Sequence, residues 1–179
     1  MSVRKMTLLA MMMALAVALG YAESFIPSFW VPGTKPGLAN MVILLCLVKF
    51  GFFEALFVNL GRVLLVGALS GTVFQMGFYM SAAGALLSLL VMWVGIRYLK
   101  KLTLYGVSLL GALAHDAGQL LVGWAFLGNP GVFYYFPYMA LVSLATGFFV
   151  AFVVTRLEKT GILKKILSEE KPNVKPAKP

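Results

Sequence analysis

The chain has 179 residues, 61% of them hydrophobic and 12% charged, with a formal net charge of +9 and a mean hydropathy of +0.92. So little polar surface cannot coat a water-soluble globule, and the apolar runs approach the span of a bilayer. A single cysteine, Cys46 inside an apolar run, excludes a disulfide framework and a cluster of soft metal ligands.

Apolar runs between turn signals predict an all-α integral membrane protein with six transmembrane helices, over residues 6–22, 38–50, 52–70, 77–98, 104–127 and 132–156. The first begins after Arg4 and Lys5 and carries Ala10, Ala14, Ala18 and Ala22 at a spacing of four, a strip of methyl-sized side chains against which another backbone can approach closely. The strip serves either packing within the chain or docking of a partner membrane protein. The same segment, with small residues at Gly20 and Ala22, also has the pattern of a cleavable signal peptide; the expectation is a retained helix.

A long irregular stretch, residues 23–37, follows. Connectors of this length usually have a function of their own. Pro32, Gly33, Pro36 and Gly37 direct its turns, and Lys35 is the basic residue it places on the outer side, which makes it a candidate lid. Asn40, at the start of the second helix, either caps the loop backbone or contacts ligand. This second helix is short enough to be tilted or half-inserted. A third helix carries Asn59 and Arg62, a fourth a small-residue strip of Gly77, Ser81 and Ala85, and a fifth His115, Asp116 and Gln119. Residues 1–156 thus form the membrane domain, and 157–179, basic and ending in "SEEKPNVKPAKP", a partly disordered tail.

Of the 15 lysines and arginines, all but Lys35 and Arg62 fall before helix 1, between helices 2 and 3, between helices 4 and 5, or after helix 6. The excess of basic residues on one side predicts a multi-pass cell-membrane protein with both termini cytoplasmic. It is a topology signal and implies no nucleic-acid partner.

Arg62, His115 and Asp116 all lie roughly 15 to 18 Å along their helices from the cytoplasmic ends, at about 1.5 Å per residue. Buried at that depth, a charge must be paired or face a wet cavity, so these residues are candidates for a site. Asn59 and Gln119 stand three or four positions away on the same helix faces. The cluster has three readings: an Arg62–Asp116 ion pair that fixes the meeting of helices 3 and 5, a site in which Arg62 clamps a carboxylate or phosphate, and a proton relay through His115. The outer face is rich in aromatic residues, among them Tyr79, Trp124 and "FYYFPY"; these suit an interfacial belt, and some could wall a pocket. No nucleotide-binding loop, zinc-protease motif or nucleophile elbow is present, and with one aspartate in the chain no carboxylate cluster can hold magnesium. Neither a metal nor a cofactor is expected, nor an enzyme working alone.

The blocks "PGTKPGLANMVILL", "ALFVNLGRVLLVGAL", "SAAGALLSLLVMW" and "VSLLGALAHDAGQLLVG" resemble those of the heptaprenyl diphosphate synthase component I family, also called the Gx transporter family, over residues 6–156. At Asp116 the chain departs from the asparagine common in that family. Its members are similar to the substrate-binding S components of energy-coupling factor (ECF) transporters, which implies a six-helix fold with both termini inside and a long outer loop closing over ligand. The resemblance implies two functions. In one, the chain binds a small cofactor, vitamin or precursor outside, a T subunit docks on the alanine strip, and two ATPase subunits drive release. In the other it is the membrane accessory subunit of a polyprenyl diphosphate synthase. The buried Arg62 favours the first, with Lys35, Asn40, Asn59, Arg62, Tyr79, His115, Asp116 and Gln119 as the expected ligand contacts.

Overall fold

The computed structural model describes residues 3–25, 37–99 and 101–160. These fold into six α-helices: α1 (Val3–Glu23), α2 (Asn40–Lys49), α3 (Phe52–Leu69), α4 (Met76–Tyr98), α5 (Leu104–Leu127) and α6 (Phe136–Lys159), the last preceded by a 3₁₀ segment at Pro130–Tyr135. The greatest departure from expectation is at α6. Its regular part starts at Phe136 with a proline in the first turn, where the missing N–H is not needed, and the residues from 130 wind as the tighter 3₁₀ form.

Linkers between the middle helices are short. Gly51, at φ 106°, turns the chain between α2 and α3 in a conformation that any side chain would strain. Thr103 caps α5 by accepting from the Gly106 N–H at 3.3 Å, and Gly128 ends the same helix in the left-handed conformation.

The ten residues of α2 form its centre, and Val42, Ile43, Leu44, Leu45, Cys46 and Leu47 are all buried. A helix apolar on every side is surrounded by others, and α2 packs against α1, α3, α4 and α6. With Leu9, Met12, Val58, Leu89, Met92, Val107, Val150 and Val154 it makes the main apolar core; a smaller one, of Leu120, Val132 and Met139, lies beside the 3₁₀ segment. Around this core α3 turns Phe53, Phe57, Leu60 and Leu64 outward, more than 40% exposed each. An apolar face of that extent belongs against lipid.

Four helical segments, α1, α3, α4 and residues 130–159, are long and apolar enough to cross a bilayer. These mark a multi-pass membrane protein. At ten residues α2 is about 15 Å long, half a bilayer core. α5, at 24 residues, has the length, but His115, Asp116 and Gln119 dilute its apolar character. Two ion pairs, Lys5–Glu54 at 2.6 Å and Lys49–Glu158 at 2.7 Å, tie α1 to α3 and α2 to α6 at the end where α1 begins and α6 finishes.

Candidate functional site

Buried polar side chains from all six helices lie within the bundle, joined in small groups. Glu23 comes from α1, Asn40 from α2, Asn59 and Arg62 from α3, Ser88 from α4, His115, Asp116 and Gln119 from α5 and Ser143 from α6; none is more than 7% exposed. Helices can lodge polar groups this deep only by satisfying them mutually, since an unmade buried hydrogen bond costs about 1–3 kcal/mol.

The contacts follow helical spacing. Arg62 Nη2 donates to Asn59 Oδ1 at 3.1 Å, one turn back, and Asn59 Nδ2 donates to the Ala85 carbonyl at 2.9 Å, tying α3 to α4. His115 Nε2 and Gln119 Nε2 lie 2.9 Å apart along α5. Asn40 Nδ2 donates to Ser88 Oγ at 3.1 Å, and Ser143 Oγ to Asp116 Oδ1 at 2.9 Å. α4 and α5 meet closely because glycines face each other. A Cβ on Gly84 would lie 2.8 Å from the His115 carbonyl, and one on Gly118 2.8 Å from the Gly84 Cα.

α2 starts inside the bundle. A Cβ on Gly37 would lie 3.4 Å from Asn40 Nδ2 and 3.8 Å from His115 Cδ2, so the backbone just before α2 sits against the middle of α5. The N-terminal end of the short second helix is thus buried among polar side chains, and a helix N-terminus inside a membrane protein favours negative charge. The group found there is the Glu23 carboxylate, which accepts from the Ala39 N–H at 3.0 Å.

Arg62 and Asp116 are not an ion pair. The Arg62 stem lies on α1, with Cγ and Cδ each 3.7 Å from where a Gly20 Cβ would be, and the buried Glu23 follows Gly20 by one turn. Asp116 instead faces Ser143 on α6. Three residues of the cluster thus had no part in the expected site: Glu23, Ser88 and Ser143. Glu23 stands at a helix end, where charge is ordinary. Its signal was the spacing of Leu9, Met12, Ala16, Gly20 and Glu23, which are the buried residues of α1.

Of the expected contacts, Asn40, Asn59, Arg62, His115, Asp116 and Gln119 are all buried in the bundle, Asn59 against Arg62 and His115 against Gln119. Lys35 and the candidate lid at positions 26–36 lie outside the described residues, as does the tail from 161. Tyr79 stands apart. It is 39% exposed at the start of α4, its ring 5.6 Å from that of Phe126. Ala10, Ala14, Ala18 and Ala22 are all exposed, on the side of α1 away from α3. A cavity of about 10 Å³, room for roughly one water, lies in the bundle, lined by Gly37, Asn40, Met92, Ser108, Thr146 and Gly147. Among the described residues no three histidine, cysteine or acidic side chains are grouped as metal ligands.

Comparison with curated proteins found no match, and comparison with solved structures found none either. The sequence model of the family described as "Heptaprenyl diphosphate synthase component I" matches residues 12–157, from the third turn of α1 almost to the end of α6, and so covers the helices that carry the buried polar groups. The chain belongs to the heptaprenyl diphosphate synthase component I family.

Proposed function

We propose that the chain is the substrate-binding membrane subunit of a transporter of the ECF type, taking up a small cofactor, vitamin or precursor that carries an anionic group. The observation that carries this reading is Arg62. Its guanidinium is buried, held through Nη2 by Asn59, and its Nε has no hydrogen-bond partner among the described residues. A guanidinium fixed on one side with a donor to spare is suited to a carboxylate or phosphate. Asn40, His115, Asp116 and Gln119 surround the remainder of the ligand. The chain itself binds and does not catalyse, and energy comes from a T subunit and ATPase subunits. The exposure of Ala10, Ala14, Ala18 and Ala22 supports docking of such a partner on α1. Six crossings of the cell membrane with both termini in the cytoplasm accord with the distribution of basic residues.

Native mass spectrometry of the gently purified protein tests this reading. A small molecule should accompany the wild type and be lost in Arg62→Ala. A wild type that carries no small molecule and co-purifies with a prenyl diphosphate synthase overturns it. That outcome supports a second reading, favoured by the family's description: a membrane accessory subunit of such a synthase, in which Arg62 holds a diphosphate.

A further inference from the structure

Asp116 is a buried acid that forms no ion pair among the described residues. Its side chain is 1% exposed; Oδ1 accepts from Ser143, and Oδ2 has no hydrogen-bond partner among the described residues. Arg62, the basic residue buried in the bundle, is turned to Asn59 and lies against α1 at Gly20. Protonating Asp116 would remove its charge but leave a buried O–H in need of an acceptor. A neutral hydroxyl from Ser143 supports one oxygen and does nothing for the other. Burying a carboxylate in this way is costly unless a donor arrives.

Nearby groups share the deficit. Asn40 Oδ1 and Gln119 Oε1 are also buried without a donor among the described residues. Turning either amide over exchanges the atom left unmatched. Turning the Asp116 carboxyl over leaves an oxygen unmatched either way. The cluster therefore has a spare donor at its α1–α3 end, Arg62 Nε, and a spare acceptor at its α5–α6 end, Asp116 Oδ2.

From this polarity we infer that the ligand is amphoteric: besides the anionic group taken by Arg62, it carries an ammonium or another N–H donor that Asp116 Oδ2 receives. The inference rests on the reading of the chain as a binding subunit and narrows the ligand it takes. A purely anionic ligand, such as a prenyl diphosphate, leaves Asp116 as it is.

The probes are three series matched in length, added to the full chain purified in detergent: ω-amino acids from glycine to aminooctanoate, straight-chain monocarboxylates, and alkylammonium ions. Thermal stabilisation is followed against concentration. At one length the amino acid should half-saturate at about a tenfold lower concentration than the carboxylate, the gain of one charge-assisted hydrogen bond. Asp116→Asn should bring the two within about threefold. Carboxylates acting as strongly as amino acids at every length overturn the inference; if Arg62→Gln then abolishes their effect, the anion-binding reading survives. Alkylammonium ions that stabilise as strongly as the amino acids at every length, through Asp116 and without Arg62, overturn both the amphoteric ligand and the anion-binding reading. No response to any series sinks both. The comparison within the wild type decides even if a variant fails to fold.

Discussion

Glu23 accepts a hydrogen bond from the Ala39 N–H at 3.0 Å, sixteen positions along the chain, and so joins the last residue of α1 to the start of α2. This carboxylate satisfies a buried N–H that no side chain of α2 itself caps, and it lies one turn beyond Gly20, on which the Arg62 stem packs. Glu23→Ala should therefore destabilise the protein by about 1–3 kcal/mol. Glu23→Gln keeps an acceptor for Ala39 and should recover part of the loss. Equilibrium unfolding in mixed micelles with SDS measures both, and a wild-type midpoint for Glu23→Ala would show the bond to be dispensable.

The contact between α4 and α5 makes a sharper packing prediction. Added to Gly118, a Cβ would meet backbone atoms, the Ala83 carbonyl oxygen and Gly84 Cα, both at 2.8 Å. Backbone cannot rotate aside, so Gly118→Ala should cost about 1–3 kcal/mol and push His115 away from α4. Gly95, on the same pair of helices, is different. Its nearest neighbours are side chains of Leu102 and Val107 at 3.5 Å, an ordinary contact. Gly95→Ala should be neutral or stabilise by up to about 1 kcal/mol through helix propensity. Equal losses from the two substitutions would contradict the geometry.

Arg62 and Asp116 share no partner: one bonds to Asn59 and the other to Ser143. A double-mutant cycle on Arg62→Gln and Asp116→Asn should accordingly be additive within about 0.5 kcal/mol. The cycle on Arg62→Gln and Glu23→Gln should show a coupling of about 0.5–3 kcal/mol, because the Arg62 stem packs on Gly20, one turn before Glu23. Reversal of the two results would restore the ion pair expected between helices 3 and 5.

What the sequence could convey about this site was depth and spacing. Apolar runs locate five helices within a few residues, because loss of hydropathy marks each end. Pairs on one helix, Asn59 with Arg62 and His115 with Gln119, are legible because three- and four-residue spacings bring side chains together. Partners across helices are not. Equal depth of Arg62 and Asp116 says nothing of azimuth, and they point to different neighbours. Ser88 and Ser143 look in sequence like small packing residues, though each bonds a candidate ligand contact. The setting of α2 was half legible: its shortness allowed a tilted or half-inserted helix, while the approach of its start to His115 depends on the glycine at 37.

The alanine strip makes a prediction in which stability and association separate. Ala14 and Ala18 are exposed, whereas Ala16 between them is fully buried against the core. Ala14→Leu together with Ala18→Leu should change unfolding by less than about 0.5 kcal/mol, as exposed substitutions do, yet block close approach of a partner helix. The readout is recovery of membrane partners with the tagged chain from its own cells. Loss of stability without loss of partners would assign the strip to the chain's own packing.

Topology turns on α5, which carries three polar residues of the cluster yet must cross if Lys101 and Tyr134 lie on opposite sides. An aspartate near the middle of a lone helix disfavours insertion by about 2.5–3.5 kcal/mol. Here Asp116 faces Ser143, Gln119 faces His115, and Leu120 and Val107 bury the flanking turns, so α5 can sit within the bundle with its polar side away from lipid. Single cysteines placed in a Cys46→Ser chain at Lys101, Tyr134 and Thr160, all exposed, test this with a membrane-impermeant maleimide on intact cells. Tyr134→Cys should label at once, and Lys101→Cys and Thr160→Cys only after permeabilisation. Labelling of Lys101→Cys and Tyr134→Cys from the same side would mean that α5 does not cross, and Arg62 and Asp116 could not then belong to one site reached from outside.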